Sequence, residues 1–469
     1  MTRPDMVRTA LERARAAQRE AAGWSQSRTD EVVAAVGWYC YQESTARRLA
    51  LLSHAETALG DPDHLHTLQR RRVLGVLRDL HGQSTVGVVE DLPDLGLRRI
   101  AKPLGVIAVA SPATAPVPGI VCNVLPMLKT RNAAVFSPNP RALGSARATV
   151  RVVRDALAEV SAPVDLVQCL EHTDRRTSAE LMAGADHVVA IGGAGTVRRA
   201  YESGTPAVGA GVGNPTVVVD ETADLADAAE KIVTGASYNN GTSCSSESNV
   251  LVHTSVLDEF SSQLIAQGAH LCTEAETARL RSVLWSADGK LDRDMIGRPA
   301  TELAEAAGIH TARPDRTLLL VLAGDSPLHA GEVRDEPILR EKISPVLTLG
   351  RFDSFAEAVS GVQRLLDICG KGHSCGIHST RADRVALLAE AVDSCRVVVN
   401  QSTMTNTGSF ESGVPFTTTL SSGSWGGCST SGNVTWRTFL NHTLISRPIA
   451  ARLPDEKLLF GAYWGREAT

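Results

Sequence analysis

Residues 105–160 read GVIAVASPATAPVPGIVCNVLPMLKTRNAAVFSPNPRALGSARATVRVVRDALAEV, and their pattern decides the fold class of the chain. Two short apolar runs, GVIAVA and AAVFSP, alternate with two longer stretches that have helical periodicity. Apolar strands that alternate with helices predict βαβ units, and hence a doubly wound parallel sheet with helices on both faces. The ligand cleft of such an α/β fold lies at the carboxyl ends of the strands.

The same alternation continues beyond this segment and forms two sets. DLVQCL, HVVAI and the helical stretch TVRRAYESG extend the first set, and a second set runs from SNVLVHTS to RVVVN. The sequence therefore predicts two α/β domains. Residues 1–82 carry apolar residues at helical spacing and predict helices before the first domain. Residues 401–434 are rich in Ser, Thr and Gly, which predicts loops over a site.

The composition is that of a globular protein with two large domains. Of the 469 residues, 43% are hydrophobic and 21% charged, and the net charge of -5 gives no reason to expect a nucleic-acid partner. The nine cysteines form no CxxC pair and accompany no secretory signal, which predicts a cytoplasmic location. An uncharged run spans residues 103–128, but its five prolines divide it into strand, loop and helix, so we expect no membrane span.

Cys244 is the strongest candidate for a reactive side chain. It lies in the polar loop YNNGTSCSSE, residues 238–247, between a predicted helix and the apolar strand SNVLVHTS. We expect the thiol to be exposed at a domain junction, where nearby backbone donors help it to ionise and attack a carbonyl carbon. A structural cysteine is the alternative, and it is the commoner fate of any one of nine scattered cysteines.

A glycine-rich segment marks a candidate dinucleotide site. IGGAGTV, residues 191–197, follows the apolar run HVVAI and begins a helix. Glycines at such a turn let the backbone approach a dinucleotide at the helix N-terminus. The spacing departs from GxGxxG, and a tight structural turn explains the same glycines equally well.

Taken in order, the motifs resemble those of the CoA-acylating aldehyde dehydrogenases over nearly the whole chain. The matching segments are RRIAKPLGVIAVASP, LKTRNAAVFSPNPRA, GGAGTVRRAYESGTPAVGAGVGN, NNGTSCSSES, EKISPVLTL, GKGHSCGIHS and GVPFTTTLSSGSWGGCSTSGNVT. The resemblance implies NAD- or NADP-dependent oxidation of a small aldehyde to its acyl-CoA, or the reverse reduction, through a thioester on Cys244. The stretch NTGSFESGVPFT most resembles members that act on small anionic aldehydes such as succinate semialdehyde or sulfoacetaldehyde.

The resemblance also implies the aldehyde dehydrogenase fold, in which two doubly wound α/β domains carry an oligomerisation arm. It places a coenzyme-binding domain at residues 1–235, a catalytic domain at 236–435 and a returning, oligomerising segment at 436–469. Residues 86–100 contain the turn residues DLPDLG of a hairpin, which would form the arm with the C-terminal segment. A homodimer or homotetramer is expected.

Individual residues take roles from the resemblance. Thr114 and His373 join Cys244 as catalytic candidates, and Glu341 matches the carboxylate that holds the nicotinamide ribose. The remaining candidates are Ser137, Pro138, Gly192, Gly193, Gly195, Thr196, Val197 and Gly211 for the cofactor, and Phe416 and Trp425 for the acyl chain. The alternatives are a hydrogen-bonded structural histidine, a solvated surface glutamate and aromatic rings that pack within loops. No metal site is predicted, because His378 would point away from His373 and Cys375 on an extended strand.

Three departures from the family pattern bear on the chemistry. Ala210 stands where hydrolytic relatives carry the glutamate that activates water, which favours CoA as acyl acceptor; Glu247 is the nearest alternative carboxylate in sequence. Ala115 replaces an asparagine, so the backbone N–H of Cys244 and Thr114 would hold an oxyanion. Asn139 replaces a histidine of the SPHPRA motif and leaves NAD or NADP open. A hydrolytic aldehyde dehydrogenase that makes a free acid, and a non-catalytic homologue, remain as alternatives.

Overall fold

Four helices open the chain and confirm the predicted helical segment. The computed structural model describes residues 3–313, 316–322, 328–329, 332–333 and 335–466. The helices are α1 (Arg3–Ala22), α2 (Gln26–Tyr41), α3 (Glu43–Thr57) and α4 (Pro62–Leu80). The Asp61 carboxylate accepts hydrogen bonds from the N–H groups of Asp63 and His64 and so caps α4. This helix packs against the first helix of the α/β region, which brings its inner face close to the candidate site.

A hairpin follows the helices, as the DLPDLG turn predicts. Strand β1 (Gly87–Leu92) pairs antiparallel with β2 (Leu97–Pro103) across a short turn at Pro93–Leu95. Both strands lie largely at the surface.

The first α/β domain contains a five-stranded parallel sheet and confirms the predicted βαβ pattern. Its strands are β3 (Val106–Ser111), β4 (Ala133–Pro138), β5 (Val167–Cys169), β6 (His187–Ile191) and β7 (Ala207–Ala210). Its helices are α5 (Pro116–Lys129), α6 (Leu143–Glu159), α7 (Arg175–Gly184) and α8 (Ala194–Glu202). The strand order β5-β4-β3-β6-β7 places the topological switch between β3 and β6, where the segments after both strands form a crevice.

The second α/β domain contains a seven-stranded parallel sheet. Its strands are β8 (Thr216–Val219), β9 (Asn249–His253), β10 (Ala269–Cys272), β11 (Leu319–Leu322), β14 (Val346–Phe352), β15 (Cys375–His378) and β16 (Val397–Val399), and they lie in the order β10-β11-β14-β9-β8-β15-β16. Two further strands of two residues each, β12 (Leu328–His329) and β13 (Glu332–Val333), pair with each other. The helices are α9 (Leu225–Ser237), α10 (Leu257–Ala266), α11 (Glu274–Leu284), α12 (Ala300–Ala306), α13 (Phe355–Ile368) and α14 (Ala382–Ala391).

The passage from the first sheet to the second lies earlier than the boundary we placed after residue 235. Strand β7 ends at Ala210 in the first sheet, and β8 begins at Thr216 between β9 and β15 of the second. Helix α9 packs its apolar face on the second sheet through Ala228 and Ile232. An apolar strand pattern does not reveal which sheet the strand joins, so the sequence misplaced the boundary. Residues 211–215 cross between the sheets.

The C-terminal region returns to the hairpin. Residues 401–434 are largely irregular, as predicted, apart from the short pair β17 (Leu420–Ser422) and β18 (Ser431–Asn433). Strand β19 (Leu440–Ser446) then pairs antiparallel with β2, which completes a three-stranded sheet, and α15 (Glu456–Phe460) follows. None of the helices in the described ranges has the length and apolar character needed to cross a membrane.

Candidate active site

A cavity of about 230 Å³ lies where the two sheets meet. Segments after β3, β6 and β7 form one wall, and the loop before β9 and the segment before β14 form another. Six of the predicted site residues line it, namely Thr114, Gly192, Gly193, Gly211, Cys244 and Glu341. The carboxyl ends of the strands therefore converge on the cavity, as expected for this fold class.

Cys244 is held in place by a tightly turned loop. Helix α9 ends at Ser237, and Asn239 and Asn240 then adopt left-handed φ values of 51° and 54°, which turn the chain back towards the cavity. The Asn239 side-chain amide donates to Thr242 Oγ1 at 2.6 Å. Gly213, in the crossing segment, lies so close that a Cβ there would be 2.0 Å from the carbonyl oxygen of Cys244. The backbone of Cys244 therefore packs against a position that tolerates no side chain.

The expectation of an exposed, readily ionised thiol is wrong for Cys244. The residue is only partly exposed, and burial raises the pKa of its thiol to about 12. The Glu341 carboxylate raises this pKa further, while Arg396 lowers it. A cysteine in this loop is therefore protonated at neutral pH unless positive charge is added nearby or negative charge is removed.

Glu341 is the carboxylate that lines the cavity. Its Oε1 accepts a hydrogen bond of 3.4 Å from the backbone N–H of Gly213. Burial raises the pKa of its carboxyl group to about 7. The side chain can therefore change its charge close to neutral pH, and its proposed contact with a nicotinamide ribose stays a prediction.

The predicted dinucleotide residues lie at neighbouring strand ends. Ser137 and Pro138 end β4, and Ser137 Oγ is 2.7 Å from Ser178 Oγ. Gly192 has a φ of 146°, a backbone conformation that side chains disfavour, and Gly193 begins α8 without a side-chain cap. A Cβ at Gly193 would meet open space. These strand ends and the free N-terminus of α8 are therefore compatible with the phosphates of a dinucleotide.

Three cofactor candidates lie in the first turn of α8. Gly195 and Thr196 follow its N-terminus directly, and Thr196 Oγ1 accepts a hydrogen bond from Arg199 at 3.2 Å. Val197 is buried, and its side chain lies where a Cβ on Gly209 would be. Only the backbone of Val197 is therefore available to a cofactor.

His373 does not line the cavity. It is fully buried; its Nδ1 is 2.8 Å from Ser374 Oγ, and its carbonyl oxygen accepts from Arg396. Burial, followed by the positive charge of Arg396, lowers the pKa of the imidazole to about 3. These contacts favour the structural alternative, because the imidazole is neutral and enclosed and does not line the cavity.

Phe416 and Trp425 do not line the cavity either. The ring of Phe416 fills the space beside Gly75 of α4, where a Cβ would lie 2.2 Å from it, and Phe410 packs at 4.8 Å. Trp425 is 47% exposed on a turn after β17. The apolar wall is built instead from Leu68, Ile343, Met404 and Leu420.

Sequence reasoning also missed Arg72, which lines the cavity from α4. The signal was present in the sequence. Arg72 occupies the buried face of α4 together with Leu65, Val73 and Val76, so a charged residue interrupts a largely apolar helical stripe.

Glu247, the alternative base named from sequence, is turned away from the cavity. Its Oε1 accepts from Ser402 Oγ at 2.8 Å and from the N–H of Thr403 at 2.6 Å. The side chain is buried and does not line the cavity, and with Cys244 and Glu341 it borders a second, much smaller pocket. Glu247 therefore does not replace the carboxylate that is missing at Ala210.

Comparison with known proteins identifies the family of this chain. The sequence model described as the aldehyde dehydrogenase family matches residues 2–279. The sulfoacetaldehyde dehydrogenase (acylating) of Cupriavidus necator is 38% identical over 464 residues, which are 98% of this chain and 93% of that protein. The chain belongs to the aldehyde dehydrogenase family.

Solved structures of other family members share the whole fold. An acetylating aldehyde dehydrogenase from Geobacillus thermoglucosidasius has a TM-score of 0.91 and 30% identity, with 97% of this chain and 98% of that chain covered. A propionaldehyde dehydrogenase from Rhodopseudomonas palustris, solved with propionyl-CoA, has a TM-score of 0.85 and 25% identity, with 94% of each chain covered. The predicted resemblance to the CoA-acylating aldehyde dehydrogenases is confirmed.

The contact between Gly213 and Cys244 gives a first prediction. Gly213→Ala should lower the rate of aldehyde oxidation by about 10²-fold, because a shift of the nucleophile by about 1 Å is enough for such a loss. Gly413→Ala is the matched control, since this exposed glycine lies outside the cavity and a Cβ there meets nothing within 4 Å. Thermal unfolding would establish that both variants fold. An unchanged rate in Gly213→Ala would show that the loop moves aside without cost.

The charge of Glu341 gives a second prediction. The pKa of about 7 implies that its carboxyl is neutral below this pH and charged above it, where it opposes ionisation of Cys244. In Glu341→Gln, alkylation of Cys244 by iodoacetamide should match the wild type below about pH 7 and exceed it above. Peptide mass spectrometry measures the labelling. The exposed Glu259→Gln on α10 should behave as the wild type; identical wild-type and Glu341→Gln profiles at all pH values would contradict the assignment.

Proposed function

We propose that this aldehyde dehydrogenase converts a small aldehyde to its acyl-CoA, or runs the reverse reduction, with NAD or NADP and through a thioester on Cys244. One observation carries the proposal. Cys244 lines a small cavity at the carboxyl ends of the first sheet, and Glu341 is the single carboxylate among the described residues that line it. Ala210 replaces the glutamate that activates water in hydrolytic relatives, so no base at that position would direct water to a thioester on Cys244.

The reaction uses few groups of the chain itself. The Cys244 sulfur attacks the carbonyl carbon of the aldehyde, and the backbone N–H of Cys244 and the Thr114 hydroxyl are our candidates to hold the developing oxyanion. Gly192, Gly193 and the N-terminus of α8 would hold the dinucleotide, whose nicotinamide accepts hydride when bound. CoA then takes the acyl group, and the Cys244 sulfur leaves.

Ionisation of Cys244 is a step on which the surrounding charges act. Burial and the charge of Glu341 keep the thiol protonated, and Arg396 acts in the opposite direction. We propose that Glu341 binds the nicotinamide ribose. The ribose hydroxyl groups would then donate hydrogen bonds to the carboxylate and offset its negative charge. The thiol would then ionise mainly when the second substrate is in place, which protects it from unproductive reactions.

Assembly and location complete the proposal. Exposed apolar side chains crowd the C-terminal segment, where Leu453 is 88%, Leu458 80% and Tyr463 76% exposed. The neighbouring three-stranded sheet leaves the outer edges of β1 and β19 unpaired within the described chain. Such surfaces favour association, which supports a homodimer or homotetramer. We place the enzyme in the cytoplasm, with small-molecule partners.

The hydrolytic alternative rests on a specific observation. Glu341 lies at the cavity and has a pKa of about 7, a value suited to a general base. If it directed water to the thioester, the product would be a free acid. The acyl acceptor therefore distinguishes the two functions.

Turnover without CoA gives the third prediction. With aldehyde and oxidised cofactor alone, the enzyme should form about one equivalent of NAD(P)H and stop, and CoA should restore steady turnover. Absorbance of the reduced nicotinamide follows both phases. Steady production of free acid without CoA would contradict the proposal, and its disappearance in Glu341→Gln would identify Glu341 as the base.

A further inference from the structure

Arg72 is the one cation among the described residues that line the active-site cavity. It lies on the buried face of α4 and is only 5% exposed. No family motif identified in the sequence includes it, and the chemistry at Cys244 does not use it. An arginine in this position keeps its charge, because burial does not deprotonate a guanidinium group.

The hydrogen bonds of Arg72 leave its charge without a counterion. Nη1 donates to the carbonyl oxygens of Thr407 and Thr417, and Nη2 donates to Thr407 Oγ1. Nε has no partner within the described residues. The ion pairs found in the described chain do not include this arginine, and the ring of Phe416 lies 5.9 Å from its guanidinium carbon. A buried charge held only by neutral dipoles is costly unless an anion joins it.

Among the described residues, the charged side chains near Arg72 do not supply its counterion. The guanidinium carbons of Arg71 and Arg78 lie 5.8 Å and 5.0 Å from the ring centre of Phe416, outside the cavity, and Arg78 is paired with Asp79 at 2.7 Å. Arg72 is also close enough to Cys244 for their charges to interact. The negative group of the cavity, Glu341, lies on the side of Gly213, where it receives that residue's N–H.

We infer that Arg72 binds a negatively charged group on the substrate, so that the preferred aldehyde is a short one carrying a carboxylate or a sulfonate. The inference rests on the proposed function and adds the substrate class to it. The planar guanidinium suits both groups, since it offers paired donors to their oxygens. Thr114 and Thr418 add hydroxyl groups to the same cavity, and Ala115 and Gly119 leave room beside them. The volume of about 230 Å³ has room for a short aldehyde.

Steady-state kinetics test the inference with sulfoacetaldehyde, succinate semialdehyde and the neutral propionaldehyde. The wild type should have the higher kcat/KM for at least one of the two anionic aldehydes. Arg72→Met should lower kcat/KM for that anion by about 30-fold or more, mainly through KM, and change propionaldehyde little. Arg71→Met removes an equal charge outside the cavity and should keep the preference. Arg72→Lys, which retains the charge, should keep part of it.

A binding measurement separates this inference from the proposed function. Isethionate, an unreactive sulfonate, should slow alkylation of Cys244 in the wild type, whereas the neutral 1-propanol at equal concentration should not. Arg72→Met should abolish this protection, and Arg72→Lys should retain part of it if the Met variant does not fold. Equal protection in the wild type and Arg72→Met, or a wild-type preference for propionaldehyde, would overturn the inference. Failure of the proposed function would instead appear as CoA-independent formation of free acid, with anion protection intact.

Discussion

The close approach of Gly213 to Cys244 is the constraint on which the rest of the site depends. A Cβ at Gly213 would lie 2.0 Å from the Cys244 carbonyl oxygen, so the crossing segment and the nucleophile loop are in direct backbone contact. The same glycine donates its N–H to Glu341. Because only five residues separate β7 from β8, the ends of both sheets are brought to one point. The backbone at the junction between the domains therefore fixes the position of the Cys244 thiol.

Burial at that junction determines the chemistry of the cavity. It keeps the Cys244 thiol protonated, raises the pKa of Glu341 to about 7 and leaves the Arg72 charge without a counterion. Of these groups only Arg72 holds a buried charge without a counterion, a costly arrangement that a ligand of opposite charge relieves. The anionic aldehyde that we propose as substrate would supply the missing counterion of Arg72.

The sequence predicted the parts of the structure that local pattern determines. Alternating strands and helices identified both α/β domains, and the ordered motifs located Cys244, Glu341 and the glycines of the cavity. The boundary after residue 235 was wrong because an apolar strand does not indicate which sheet it joins. Phe416 was misplaced because its loop has no periodicity, so nothing in the sequence shows which way the ring faces. Arg72 interrupts the apolar stripe of α4, but its exposure to a cavity depends on packing between distant segments.

The central claim is that Cys244 carries the acyl group and that CoA removes it. Peptide mass spectrometry tests this most directly, after the enzyme reacts with aldehyde and oxidised cofactor without CoA. The account predicts one acyl group per chain, on the peptide that contains Cys244, and its loss on addition of CoA with an equal amount of acyl-CoA formed. Cys169→Ser, which changes a half-buried thiol outside the cavity, should give the same result as the wild type. An unmodified Cys244, or an acyl group that CoA does not remove, would contradict the account.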